Sequence, residues 1–298
     1  MVVHRDSGDL RGCIESLLTD VERVIVVDNG GGEAAGRVAH LPGVTTHLTD
    51  NRGFGAAQNL GVSLADQEFA LLMNPDARMR PDALRIGCAM LRSQPEVAAV
   101  QGVCRSEDGR PDRSQGRLVS AVHLWGRALG VSRLARTRLG RWAAAALPIT
   151  RDHVERVPSG PVTVDSLSAT ALLIRRRAFE EVGGFDEGFF LYGEDLDLCA
   201  RLTQAGWTLV ALPVEWALHV GGGSFTSSLE RELHWWRGTM RFAAKRWPRR
   251  SWIAALSAIF VRSLTWTPRT RGTRRAFATL LREARITRAR VRSQGDAR

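Results

Sequence analysis

Two adjacent carboxylates, Glu194 and Asp195, follow a glycine-rich, aromatic run, Gly183-Gly184-Phe185-Asp186-Glu187-Gly188-Phe189-Phe190-Leu191-Tyr192-Gly193. Past Asp195 the apolar residues Leu198, Cys199, Leu202 and Ala205 recur at helical spacing, and Gly206 supplies a stop. The pattern predicts a helix whose first turn carries both carboxylates. A helix dipole favours ionised carboxylates at that end, so the pair is suited to take a proton from a bound hydroxyl. Repulsion from Glu194 raises the proton affinity of Asp195. Asp195 is therefore the candidate general base and Glu194 its tuning neighbour, with a plain N-cap as the competing account. Asp197 and Arg201, one turn apart, read as an ordinary surface ion pair.

The elements that must position this pair alternate along the chain. Residues 2–4 read as a first strand, entered abruptly, and Ser7-Gly8-Asp9 opens a helix. The β-branched run at 24–27 ends in Asp28-Asn29-Gly30-Gly31-Gly32, which fits a central parallel strand followed by a glycine loop. A third strand at 44–48 leads to Asn51, Arg52 and Asn59, which flank a glycine turn at a helix start, a place suited to a diphosphate. The strand at 69–73 ends in Asn74-Pro75-Asp76, Pro81 opens a helix to about Arg92, and 97–103 is a further strand. From Arg105 to about Pro161 the pattern loosens into an insertion with one or two helices, containing Trp125 and Trp142. Strands at 168–174 and 208–212 follow, the second leading past Pro213 to His219. This alternation predicts an α/β fold with a doubly wound, mostly parallel sheet and ligands at the strand carboxyl ends. Gly53-x-Gly55 lacks the third glycine of a dinucleotide fingerprint, which argues against a Rossmann oxidoreductase.

The segment from Gly183 through Glu194-Asp195 to Asp197-Leu198-Cys199 and Arg201 resembles the signature of family 2 glycosyltransferases, which have the GT-A fold. Within that family it is most similar to bacterial rhamnosyltransferases that act on lipid-linked acceptors, and the resemblance spans residues 1–225. It implies inverting transfer from a nucleotide-sugar donor, with dTDP-L-rhamnose favoured, to a polyprenyl-diphosphate-linked saccharide. A UDP-hexose or UDP-galactofuranose donor, or a non-catalytic membrane-bound assembly partner, are the alternatives. The resemblance also implies roles: Asp28 at the pyrimidine base, and Asn51, Arg52 and Asn59 near the diphosphate. Asn74 and Asp76 stand in the place of the family's metal motif, with Asp76 a hard oxygen ligand for Mg2+ or Mn2+. His219, ahead of Gly221-Gly222-Gly223-Ser224, matches a histidine directed at the metal or diphosphate. Asp165 reads equally as a sugar contact or a polar strand edge. Ser166 and Ala169 stand where relatives commonly carry Trp and Gly, and relatives usually carry a few more residues ahead of the first strand, so the beginning of the chain reads as truncated or misassigned.

Charge divides the 298 residues unevenly. The net charge is +11, yet residues 230–298 hold 18 Lys and Arg against 4 Asp and Glu, leaving the first 229 slightly acidic. The basic character belongs to a tail, residues 226–298, and not to a nucleic-acid-binding protein as a whole. That tail also carries Trp235, Trp236, Trp247, Trp252 and Trp266. Arginine with tryptophan suits the headgroups of an anionic membrane, and residues 252–264 could lie in that interface as an amphipathic helix. The expectation is a peripheral protein at the cytoplasmic membrane face. Cys13, Cys88, Cys104 and Cys199 match no zinc or redox spacing and read as reduced, mostly buried thiols. No apolar run is long enough to cross a bilayer, and no signal peptide opens the chain.

Overall fold

The computed structural model describes residues 1–4, 9–112, 114–131, 158–219, 227–266 and 270–295. The helix start expected at Ser7-Gly8, Trp142 with most of the insertion, and the loop Gly221-Gly222-Gly223-Ser224 lie outside them. The described residues fall into two compact units, one of 1–118, 158–190 and 194–219, the other of 119–131, 191–193 and 227–295.

In the first unit, β1 (Val2–Val3), β2 (Val24–Asp28) and β3 (Val44–Leu48) form a parallel sheet in that order. Helices α1 (Leu10–Glu15), α2 (Glu33–Val38) and α3 (Phe54–Ser63) connect and cover it. A second sheet has the order β4 (Phe69–Met73), β10 (Ala171–Arg175), β6 (Val97–Arg105), β11 (Thr208–His219), β5 (Ala77–Met79), with β8 (Val162–Thr163) also on β11. Here β6 and β11 run parallel, whereas β10 is antiparallel to both β4 and β6, and β5 and β8 are antiparallel to β11. The sheet is thus mixed where a mostly parallel one was expected. The chain leaves β6 and re-enters through the ribbon of β7 (Gln115–Gly116) and β9 (Ser166–Leu167). Parallel neighbours require a crossover that returns the chain to the starting end; β9 instead lies antiparallel to β7, and β10, which follows it, runs back along β6. Helices α4 (Ala83–Ser93), α6 (Arg176–Glu181) and α7 (Glu194–Gln204) complete the unit. α4 begins after Asp82, held at φ 62°, so Pro81 stands in the preceding turn and does not open the helix.

β11 is longer than its sequence suggests, because Pro213 does not end it. Between Ala211 and Glu215 the strand slips register against Gln101 and Val103, a bulge that absorbs the residue lacking an N–H. Gly102 makes room, since a Cβ there would meet the Val214 carbonyl at 2.6 Å. Beyond the bulge the strand continues to His219, opposite Ala77 of β5. Beneath it lies a buried polar hub. Gln101 Nε2 donates to the carbonyls of Ser168 and Ala171, each at 2.9 Å, and Trp216 Nε1 donates to the same Ala171 carbonyl at 2.7 Å. Gln115 Nε2 donates in turn to the Gln101 carbonyl at 2.6 Å. Cys13, Cys104 and Cys199 are buried and free, and burial pushes the Cys13 and Cys199 thiols up to about 12.

The second unit is helical: α5 (Ala121–Ala128), α8 (Ser228–Arg246), α9 (Arg249–Thr265) and α10 (Arg271–Gly295). Its core holds Trp236, Met240, Trp252, Ile259, Trp266 and Phe277. The tail tryptophans expected at a membrane are therefore inside; Trp235 and Trp247 pack against the same core, half-buried. Three of them hold a guanidinium against the indole face: Arg127 lies 4.0 Å from the Trp235 centroid, and Arg262 and Arg288 lie 4.7 Å from those of Trp266 and Trp252. At the centre, buried Glu232 receives Arg262 Nε at 2.8 Å, Trp236 Nε1 at 3.0 Å and the Arg127 fork. Burial alone would raise the Glu232 carboxyl, but the two guanidiniums outweigh it and hold it below the usual range. Gly238, midway along α8, admits the Tyr192 carbonyl against the helix, where any Cβ would collide. No helix among the described residues is long and apolar enough to cross a membrane.

Replacing Gln101 by Leu keeps the volume and removes both donors, leaving two buried carbonyls with one partner fewer. We expect a loss of about 1–3 kcal/mol, read as a lower urea midpoint with an unchanged slope.

Candidate active site

The signature loop is braced on α3. Asn59 clamps Phe185 from both sides, accepting from its N–H at 2.8 Å and donating to its carbonyl at 3.0 Å, and also reaches Glu187 Oε1 at 3.2 Å. Arg52 Nη2 meets Glu187 Oε2 at 2.7 Å on an exposed edge. Asn51 Oδ1 accepts from the Gly53 N–H at 3.2 Å and turns the chain into α3. Gly53, at φ 108°, lets the Phe190 carbonyl approach to within 2.6 Å of where a Cβ would sit. Gly53-x-Gly55 thus serves close packing of this loop. Asp28 is buried at the end of β2, and its two oxygens accept from the Gly30 and Ala35 N–H groups at 2.7 and 3.0 Å, shaping the glycine loop and capping α2. Asp165 lies on an exposed edge, 3.8 Å from Arg117 Nε. Ser166 turns inward, its hydroxyl donating to the Gly116 and Arg117 carbonyls at 3.3 Å.

The register that sets His219 opposite Ala77 also brings it to Asp76. His219 Nε2 lies 3.4 Å from Asp76 Oδ1, and Nδ1 lies 3.3 Å from Asp112 Oδ2. Asp112 is held in turn by its N–H on the Cys104 carbonyl and by the Ser114 N–H on its other oxygen at 3.0 Å. Burial would lower the imidazole, but the hydrogen bonds to Asp112 and Asp76 prevail and raise it to about 9. Sequence reasoning missed Asp112, which lies in the loosely patterned insertion with no motif around it. No group of three or more metal-ligating side chains occurs among the described residues. Once the imidazolium gives up a proton to an arriving cation, one carboxylate oxygen and one imidazole nitrogen on the same side, with a carboxylate behind the ring, form a donor set that suits Mg2+ or Mn2+ when phosphate oxygens and water complete the shell.

Asp195 joins this region through the turn at 168–171. Its carboxylate accepts from the Leu196 N–H at 2.8 Å and from the Ala169 backbone. The neighbouring Thr170 carbonyl accepts the Asn74 N–H at 2.8 Å, two residues before Asp76. Glu194 is buried with its Oε2 unpartnered among the described residues. Desolvation, and then the charge of Asp195, raise the Glu194 carboxyl to about 8, and desolvation raises Asp195 against its backbone donors. Glu194 thus behaves as a protonated acid beside the more open Asp195. Asp197 corrects the surface reading: it is 0 % exposed and accepts from Arg201 Nε at 2.8 Å, while Arg201 also donates to the Val182 carbonyl. That pair ties α7 to the end of α6 inside the fold.

The profile described as "Glycosyltransferase like family 2" matches residues 10–238, and the chain belongs to that family. It is 28% identical to the N-acetylglucosaminyl-diphospho-decaprenol L-rhamnosyltransferase of Mycobacterium tuberculosis, over 88% of this chain and 92% of the relative. It is 26% identical to the rhamnosyltransferase WbbL of Escherichia coli K12, over 83% and 92%. Among solved structures it is similar to GalNAc-T7 with UDP, GalNAc and Mn2+ (TM-score 0.59, 13% identity, 94% of this chain and 53% of that one). It is also similar to the mannosyltransferase PcManGT of Pyrobaculum calidifontis with GDP-Man and Mn2+ (TM-score 0.54, 15% identity, 99% and 78%). The fold is GT-A, and the chain is a glycosyltransferase with rhamnosyltransferase homologues, as its signature led us to expect.

Glu194 sets a pH signature. Between pH 4.5, its ordinary value, and about 8, the folded state keeps a proton that the unfolded chain has lost. Its contribution to stability therefore falls as pH rises through that window. Glu194→Gln should melt progressively higher than the parent from pH 4.5 to 8, with a constant difference on either side. A pH-independent difference would refute the assignment.

Proposed function

We propose that the chain transfers L-rhamnose, with inversion, from dTDP-L-rhamnose to a saccharide carried on polyprenyl diphosphate. The sugar and acceptor classes rest on the activities by which the mycobacterial and Escherichia coli relatives are named. The observation that carries the chemistry is the turn at 168–171, which accepts the Asn74 N–H on one side and donates to Asp195 on the other.

Asp195 takes the acceptor hydroxyl proton while that oxygen attacks the anomeric carbon opposite the leaving diphosphate. Two backbone donors orient the carboxylate, and its raised proton affinity suits it to a base. Glu194, retaining its proton, keeps a second charge away from Asp195. Asp76 and His219 would hold a divalent ion, Mg2+ or Mn2+, which supplies Lewis-acid neutralisation of the departing diphosphate. Asp112 fixes the His219 ring so that Nε2 faces Asp76. Asn74 leaves the motif with one acidic side chain. Arg52, on the exposed rim, would exchange Glu187 for the diphosphate, with Asn51 and Asn59 setting the loop around it. Asp28 shapes the wall at the base, and Asp165 lies at the sugar edge. The enzyme works peripherally at the cytoplasmic membrane face, held by its basic C-terminal unit.

A thermal-shift series with Mn2+ tests the donor, because a ligand of the native state raises the melting point. dTDP-L-rhamnose should give the largest shift; a larger shift with a UDP-hexose or UDP-galactofuranose would replace the donor. Asp195→Asn should retain the shift and lose transfer by roughly 10²–10⁴-fold, and near-normal turnover would remove Asp195 from the role of base. Asp112→Ala should weaken Mn2+ binding, followed by electron paramagnetic resonance, by about 10–100-fold. Unchanged Mn2+ affinity would leave Asp112 a purely structural residue.

A further inference from the structure

Helix α9 buries Trp252, Ala255, Ala258 and Ile259, together with Arg262, which is paired to Glu232. Its opposite face is apolar too. Ile253, Phe260 and Leu264 are 54%, 56% and 49% exposed, and spacings of seven and four residues set them on one stripe. From Ser251 to Leu264 no charged side chain faces solvent, because the one arginine in that stretch is the buried Arg262. One turn before Ile253 the stripe ends in two exposed arginines, Arg249 and Arg250. The neighbouring α10 exposes seven more, Arg274, Arg282 and Arg285 among them, while its one acid, Glu283, is paired with Arg237.

We propose that the outer face of α9 docks on an anionic lipid bilayer. Ile253, Phe260 and Leu264 enter the acyl boundary, and the arginines meet headgroup phosphates. The proposal rests on the functional reading only in that a lipid-borne acceptor gives such a face a use. A second copy of this chain fits the surface poorly. A stripe one side chain wide falls well short of the roughly 800 Å² per partner of a stable protein interface, and two chains of net charge +11 repel. Trp252 and Trp266 are buried in the core of the unit, so the apolar part of the contact falls to these three exposed side chains of α9.

The test is cosedimentation of the full chain with vesicles of phosphatidylcholine containing 30% phosphatidylglycerol, compared with phosphatidylcholine alone. Binding should need the anionic lipid and fall steeply between 0.1 and 0.5 M salt, both set as conditions where screening of exposed charge is strong. Phe260→Ser/Leu264→Ser should bind at least about tenfold more weakly with an unchanged melting temperature, since both side chains already face water. Arg249→Gln/Arg250→Gln should flatten the salt dependence. Undiminished binding by the serine variant, or a concentration-dependent dimer that it abolishes without any vesicle binding, overturns the proposal. Donor-induced thermal shifts are measured on the same variants. Their loss in every form of the chain would defeat the functional reading while leaving the docking result standing.

Discussion

The carbonyl of Ala171 takes two buried donors, the Gln101 amide and the Trp216 indole, and the turn before it depends on that arrangement. Buried polar groups must find partners, so a turn entering the middle of a sheet is permitted only where side chains from adjacent strands reach it. Gln101 comes from β6 and Trp216 from β11, the one parallel pair among the described strands of that sheet, and the bulge at Pro213 lies just ahead of the indole. With the turn fixed, Ala169 offers its N–H to Asp195 and Thr170 its carbonyl to Asn74. The base and the cation-binding edge are therefore referenced to one rigid piece of backbone, the condition for holding groups to within a fraction of an ångström.

The second unit is organised around a different constraint. A carboxylate as buried as Glu232 is tolerable only with its charge matched, and two arginines and an indole N–H do so. Removing either arginine would leave the buried carboxylate short of a partner, so Arg262 is an interior residue in spite of its type, and Arg127 reaches in from a half-buried position. Much of the tail's basic count is a surface property, but its aromatic count is a property of the core. That division leaves Ile253, Phe260 and Leu264 of α9 among the exposed large apolar side chains of the unit, while Trp236, Trp252 and Trp266 are buried.

Legibility in the sequence followed the range of the interaction. α7 and its two leading carboxylates were readable because helical period, a stop glycine and the acidic first turn are all local. The strands were readable as β-branched runs, but the direction of β10 was not, since strand sense depends on how the chain returns through the β7/β9 ribbon. Asp197 was misread as a surface residue because spacing reveals an ion pair and says nothing of what covers it. Asn59 and the glycines at 53 and 55 carried the appearance of a phosphate loop, and their partners in the structure are 126 and more residues away. Asp112 gave no signal whatever, because its meaning comes from a histidine over a hundred residues downstream.

Taken by itself, the sequence determined the family, the class of fold, the acidic pair at the head of α7 and the separation of a basic tail from a slightly acidic body. These are properties of composition and local period, which survive without any knowledge of contacts. Tertiary structure alone decided which carboxylate keeps a buried oxygen unpartnered among the described residues, which one stands behind His219, and which face of α9 remains open to water. Burial and pairing are set by what the rest of the chain brings alongside, and the electrostatic cost of a charge depends on that surrounding far more than on the residue that bears it.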